Sequence, residues 1–179
     1  MKVFLSYHRD DSKYKNKVIS ILKKNGIKYY AVPYNYHFDG KYHKDIARII
    51  IENIKDCDVT VCIIGKETYK RSHIDHELKA TLTGGTSIRK GLLGIMLENR
   101  GDRINNIDFD TIPIRISKNL KECEYAELIQ FANFEKTIVN ALKRANESRC
   151  LEVNVVNNMP VKKLINEKYY ENMLNNYYL

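Results

Sequence analysis

The sequence predicts an α/β domain built on a five-stranded parallel sheet with helices on both faces. Three observations carry that expectation. Short apolar runs alternate along the chain with stretches of helical period. Two of the runs, Asp58–Gly65 and Gly91–Leu97, are almost continuously apolar, as central parallel strands covered on both faces require. Glycine or proline punctuates the units at Gly26, Pro33, Gly65 and Gly84-Gly85.

Val3–Tyr7 is the first expected strand. Asp10, Asp11 and Ser12 offer helix caps after it, and Tyr14, Val18, Ile21 and Leu22 recur at helical spacing until Gly26 supplies a left-handed terminus. Ile27–Val32 is the second strand, stopped by Pro33, and Asp39-Gly40 marks a turn in the loop that follows. From Lys44 a helix places Ile46, Ile49, Ile50 and Ile54 on one side and Lys44, Arg48, Glu52 and Lys55 on the other. After the third strand, 58–65, a helix is expected over His73–Thr83, then the fourth strand. Ile112–Ile116 reads as a short fifth strand, at an edge because of Pro113, and Glu135–Ala145 as the last helix. Right-handed crossovers then give the flavodoxin-like strand order 2-1-3-4-5. Residues 1–150 form the expected domain. Residues 151–179, rich in Asn and Tyr with a possible helix over 161–178, form a C-terminal extension packed on the domain or on a partner subunit.

The 179 residues suit one domain with a substantial core. No stretch approaches the ~20 apolar residues of a membrane span, and the apolar run at the N-terminus is too short for a secretory signal, so a cytoplasmic location with no membrane partner is expected. Cys57, Cys62, Cys123 and Cys150 show no paired spacing and read as reduced packing thiols. The formal charge of +8 raises nucleic acid as a partner. The basic residues alternate with apolar positions, as Lys13, Lys15, Lys17, Lys23, Lys24 and Lys28 do, which fits a solvated helix face better than a binding stripe.

In a sheet of this order, ligands bind beyond the C-terminal ends of strands one and three, where the connections diverge to opposite faces. The candidate lining is Ser6, Tyr7, His8 and Asp10, the loop around Tyr34–Phe38, and Gly65–Glu77. A phospho-receiver would need an aspartate where Ile63-Ile64-Gly65 stands, and a flavodoxin would need a phosphate loop richer in glycine than His8–Ser12; both are excluded. Gly65-Lys66-Glu67-Thr68 is only a fragment of a P-loop. Glu77, in the first turns of the helix after strand three, is the carboxylate that points near the crevice. An exposed acid favouring the helix dipole is the equal alternative. His73 and His76 share a helical spacing but lack a third ligand, so they read as surface histidines and no metal is expected.

Val3-Phe4-Leu5-Ser6-Tyr7 resembles the first strand of TIR (Toll/interleukin-1 receptor) domains. Phe38-Asp39-Gly40-Lys41 with Asp45-Ile46 is similar to that family's BB loop and second helix, Asp56–Gly65 to its third strand, and Ser72-His73-Ile74-Asp75-His76-Glu77-Leu78 to its catalytic helix. The resemblance spans about residues 2–120 and is nearest to the TIR proteins of Thoeris anti-phage defence. It implies that Glu77 is catalytic and that Ser6, Tyr7, His8, Asn35, Phe38 and His73 bind substrate. It also implies that NAD+ is a substrate rather than a cofactor, and that the chain assembles with itself. The product would be an ADP-ribose-derived signal, cyclic or conjugated, that reaches a separate effector by diffusion. His73 stands where many members carry tryptophan, and Asn35 where many carry an acid.

Two other functions fit the same residues. One is a non-catalytic module that recruits partners by homotypic contact, with its Tyr-rich loop and C-terminal tail as interface. The other is a nucleoside deoxyribosyltransferase-like enzyme in which Glu77 is a covalent nucleophile.

Overall fold

The computed structural model describes residues 1–32, 43–83, 89–150 and 154–157, with side chains from residue 48 onward in the helix that starts at His43. The elements are β1 (Lys2–Tyr7), α1 (Ser12–Lys24), β2 (Lys28–Ala31), α2 (His43–Lys55), β3 (Val59–Ile64), α3 (Ser72–Thr83), β4 (Gly91–Met96), α4 (Ile114–Lys121), β5 (Ala126–Gln130) and α5 (Phe134–Ser148). The five strands form one parallel sheet in the order β2-β1-β3-β4-β5, as the alternation of strand and helix predicts. All six residues of β3 and all six of β4 are buried, because helices cover both faces of the sheet there.

Side-chain alternation divides the interior into two layers. Val3, Leu5 and Tyr7 of β1 join Val59, Val61 and Ile63 of β3 under α1 and α5, with Tyr14, Val18 and Leu22 from α1. On the other face, Phe4 packs with Ile50 and Ile54 of α2, while Cys62, Ile64, Ile74, Leu78 and Leu82 join β4 and α4. The lysines of α1 lie outside these layers, with Lys13, Lys17, Lys23 and Lys24 exposed. Gly26 ends α1 with a φ of 66°, the left-handed turn expected of it. All four cysteines are free, and Cys57 and Cys62 are buried packing residues.

The fifth strand is a correction. Ile112–Ile116 is not a strand: Pro113 is the N-cap of α4, and the helix begins at Ile114. Proline suits a helix start, where its missing N–H is no loss, and Ile112 and Ile116 are buried four residues apart as a helix demands. The strand that completes the sheet is Ala126–Gln130, paired only with β4. Residues 158–179, including the possible helix over 161–178, lie outside the described residues. The start of the extension, 154–157, is fastened to the domain: Val156 N–H donates to Asn119 Oδ1 (2.9 Å), Asn119 Nδ2 donates to the Val156 carbonyl (2.8 Å), and Arg115 Nη1 donates to the Asn157 carbonyl (2.8 Å). Among the described residues no helix is long and apolar enough to cross a membrane.

Arg115 is fully buried and its Nε lies 2.9 Å from Asp75 Oδ1, so one guanidinium ties α3, α4 and the segment 154–157 together. Removing one partner of such a pair leaves the other charge buried, at a cost of about 3–5 kcal/mol. Arg115→Ala is therefore expected to lose about that much stability in urea denaturation, and Asp75→Asn combined with Arg115→Met to lose clearly less. Equal losses in the two proteins would show that the ion pair does not hold this junction.

Candidate functional site

The crevice is set by the divergence of β1 and β3, whose neighbouring residues Ser6 and Cys62 are in register on the face that α3 covers. Above them α3 enters over Ser72–Thr83, held in rotation by Ile74, Leu78 and Leu82 against the sheet and by Thr81 Oγ1 meeting Thr60 Oγ1 at 2.7 Å. That setting turns Glu77 inward. It is 7% exposed, and its Oε2 is buried without a hydrogen-bond partner, as is Ser6 Oγ. Burial pushes the Glu77 carboxyl from its ordinary value of 4.5 to about 7, opposed by the positive field of His73 and more weakly by the Ser6 hydroxyl, which is not aligned for a full hydrogen bond. The same enclosure, with Glu77 as the next contributor, pushes the Cys62 thiol up, so it stays protonated.

His8 sits at the mouth, 6% exposed, with its ring centroid 6.2 Å from that of His73. Burial, aided by the Arg71 guanidinium, pulls its pKa below the ordinary imidazole value. Asp10 lies 3.4 Å from His8 Nδ1 and favours the proton, but the two opposing causes outweigh it. The neutral ring is consistent with Nδ1 accepting the Asp10 backbone N–H at 3.4 Å. Arg71, in the turn that launches α3, has its Nε buried without a hydrogen-bond partner among the described residues.

Asp11 forms the other wall. It is 4% exposed, burial pushes its carboxyl up, and Asn99 Nδ2 at 3.4 Å opposes the shift. A Cβ at Gly65 would run into the Asp11 carboxylate, so glycine at the end of β3 leaves the room that Asp11 occupies. Gly65 N–H donates to Thr68 Oγ1 at 2.8 Å, which folds the chain back toward α3. Two buried carboxylates, Glu77 and Asp11, thus flank the same strand ends.

Residues 4–102, more than half of the chain, match the family model described as "Thoeris protein ThsB, TIR-like domain". The chain belongs to that family. No curated protein matches it. Among solved structures it is similar to the TIR domains of the activated Roq1 resistosome directly recognizing the pathogen effector XopQ, at 18% identity and a TM-score of 0.46 over 98% of each chain. It is also similar to a candidate quinone reductase from Klebsiella pneumoniae, at 11% identity and a TM-score of 0.39 over 82% of this chain and 83% of that one. At these TM-scores neither likeness adds to what the sheet order already establishes.

Of the residues that sequence assigns to the site of this TIR-like domain, the structure brings together Ser6, His8, His73 and Glu77. Tyr7 is elsewhere: strand alternation sends it to the α1 face, where its hydroxyl donates to the Val32 carbonyl at 3.0 Å and Lys15 Nζ lies 5.0 Å from its ring centroid. Asn35 and Phe38 lie outside the described residues. His76, expected at the surface, is 1% exposed. Asp11 and Asn99 lie outside the candidate lining that sequence gives, and Arg71 lies within its 65–77 stretch without being named there. Asp11 read as a helix cap, yet as the N-cap of α1 it makes no side-chain capping bond. The signal for it was Gly65, whose missing side chain matters only once Asp11 is placed beside it.

The raised Glu77 pKa has a consequence for stability. Below pH 4.5 the carboxyl is protonated in both folded and unfolded chains and costs nothing. Between 4.5 and about 7 the unfolded chain ionises while the fold resists, and above about 7 the full penalty, ~3 kcal/mol, is present. Glu77→Gln is therefore expected to be more stable than the parent at pH 8 by up to about that amount, with the gap closing as pH falls to 4.5. Urea midpoints across that range test this, and parallel profiles for the two proteins would contradict the buried, raised carboxyl.

Proposed function

We propose that this TIR-like domain is a NAD-consuming signalling enzyme in which Glu77 assists cleavage of the bond between nicotinamide and ribose. The observation that carries the reading is a carboxylate buried at the switch point of the sheet with one oxygen left without a partner. Family membership supports it. In this reaction the C1′–N1 bond breaks, its electron pair neutralises the pyridinium ring, and nicotinamide leaves uncharged. Positive charge develops at C1′ and the ribose ring oxygen, and an acceptor adds there and gives up its proton. Water gives ADP-ribose, an atom of the same molecule a cyclic compound, and a second small molecule a conjugate.

An ionised Glu77 facing that centre meets charge that exists only as the bond breaks. At ~4 Å and an effective dielectric of about 20 the attraction is ~4 kcal/mol, near a thousandfold in rate. Arg71 suits the pyrophosphate, since its Nε lies at the mouth without a hydrogen-bond partner among the described residues. The ADP-ribose-derived product, acting on a separate effector in anti-phage defence, and assembly of the chain with itself complete the reading.

Chromatography of nicotinamide released by assembled protein is the test. Glu77→Gln is expected to fold normally and to lose NAD consumption by about 100-fold or more. Full retention of both NAD consumption and biological activity would remove Glu77 from the chemistry and favour a recruitment module. Because the carboxylate is the working form, kcat/KM should rise with pH and level off above about 7. The profile of kcat should lie lower, since the cationic substrate favours ionisation. A rate that falls as pH rises through 7 would contradict this role. Arg71→Ala is expected to raise KM about tenfold with little change in kcat; an unchanged KM would take Arg71 out of substrate binding.

A further inference from the structure

A second concavity lies away from Glu77, beyond the ends of β3 and β4. It is a groove of about 700 Å³ between the turn after β3 and the loop after β4, within the size range of small-molecule sites. Its frame is rigid. The Arg100 side chain, 2% exposed, donates twice to the Asp102 carboxylate (2.9 and 2.7 Å), to the Thr111 carbonyl (2.6 Å) and to Thr111 Oγ1 (2.7 Å), so that both ends of the loop are fixed by one guanidinium. Asp102 also accepts the Asp108 N–H at 3.2 Å, and Asp108 accepts the Asp110 N–H at 3.1 Å.

The charges lining the groove do not cancel. Lys70 pairs with Glu67 at 2.8 Å and Arg100 with Asp102 at 2.7 Å, and Asp108 is engaged as a cap. Lys66 and Arg103 remain, with no acidic partner among the described residues. Beside them stand the ring of Tyr69, with Lys70 Nζ 5.3 Å from its centroid, the amides of Asn105 and Asn106, and apolar Ile107. Lys66 and Arg103 outweigh the Asp108 carboxylate, which keeps its charge while it caps, so the lining is positive by one charge and suits a phosphate, while a ring, amide edges and an apolar contact suit a heteroaromatic base.

We propose that this groove is a second site for a nucleoside phosphate, separate from the crevice at Glu77. The turn that supplies Lys66 and Tyr69 runs through Thr68 and Arg71 directly into α3, so a ligand held there would bear on the segment that launches the Glu77 helix. The proposal does not rest on NAD cleavage.

The test is calorimetric titration of the full chain with ADP, in the wild-type and Glu77→Gln proteins and in a Lys66→Glu/Arg103→Glu variant, with amide spectra recorded alongside. In the first two proteins a saturable event is expected that shifts the amide signals of Tyr69, Asn105 and Asn106, distinct from any binding that shifts signals around Arg71 in the crevice. Kd should rise at least tenfold in the charge-reversed variant. Should reversal lower the melting temperature, Lys66→Gln/Arg103→Gln replaces it. Absence of saturable binding to wild type, or an unchanged Kd in the charge variants, would overturn the site. Inorganic phosphate binding as tightly as ADP would overturn its nucleoside specificity. Since the readout is binding, a Glu77 protein that proves to have no NAD chemistry leaves this result standing.

Discussion

A buried carboxylate with no counter-ion in contact among the described residues has to be held there by the rest of the fold, and in this chain the holding falls to α3. Keeping Glu77 ionised costs up to ~3 kcal/mol at neutral pH. Against that, Ile74, Leu78 and Leu82 lie on the same helix at 2% exposure or less, and burying each such side chain contributes about 1.5–3 kcal/mol. The apolar face therefore outweighs the penalty, and α3 stays seated with its acid pointing inward. The Asp75 and Arg115 pair adds less net energy than its Coulomb attraction suggests, because both ions are desolvated. Its value lies in orientation: it fixes the first turn of α3 against α4, so Glu77, two residues on, cannot rotate toward solvent without exposing a buried ion.

The period of a strand then decides which neighbours Glu77 can have. Ser6 and Tyr7 are adjacent in sequence, but the pleat sends one toward α3 and the other toward α1. The crevice is accordingly lined from β1 by Ser6 and His8. From β3 it is lined by the absence of a side chain at Gly65, which lets Asp11 come within contact distance. Burial and Arg71 disfavour the proton on His8, which leaves Arg71 as the fixed cation named at the mouth.

The α/β class, the order of the strands and the central strands were legible because β3 and β4 are buried on both faces and leave continuous apolar runs. The fifth strand was not. Ala126–Gln130 is covered by fewer elements, carries Glu127 in its middle, where it pairs with Arg144 at 3.0 Å, and so shows no clean period. Ile112, Ile114 and Ile116 imitate a strand because residues two apart alternate in any short window, and only Pro113, read as a helix start rather than a strand interruption, separates the two readings. Glu77 was legible as a position near the crevice. Its burial was not, since it depends on how α3 is set against the sheet by Ile74, Leu78 and Leu82, a packing that the local sequence around Glu77 does not show.

Asp75 and Glu77 make the point about function more sharply than either does alone. They sit two residues apart on one helix, both buried, at 5% and 7% exposure. The chain carries 30 basic residues against 22 acidic ones, so counter-ions are plentiful. Asp75 has one at 2.9 Å, while among the described residues Glu77 has none in contact and is favoured only by the field of His73 and the Ser6 hydroxyl. A purely structural acid in this position would gain from the pairing given to its neighbour, or from replacement by an uncharged residue. The apolar face of α3 carries that cost within the fold, and under the proposed function the unpaired charge would meet a ribosyl centre that becomes cationic only as its bond to nicotinamide breaks.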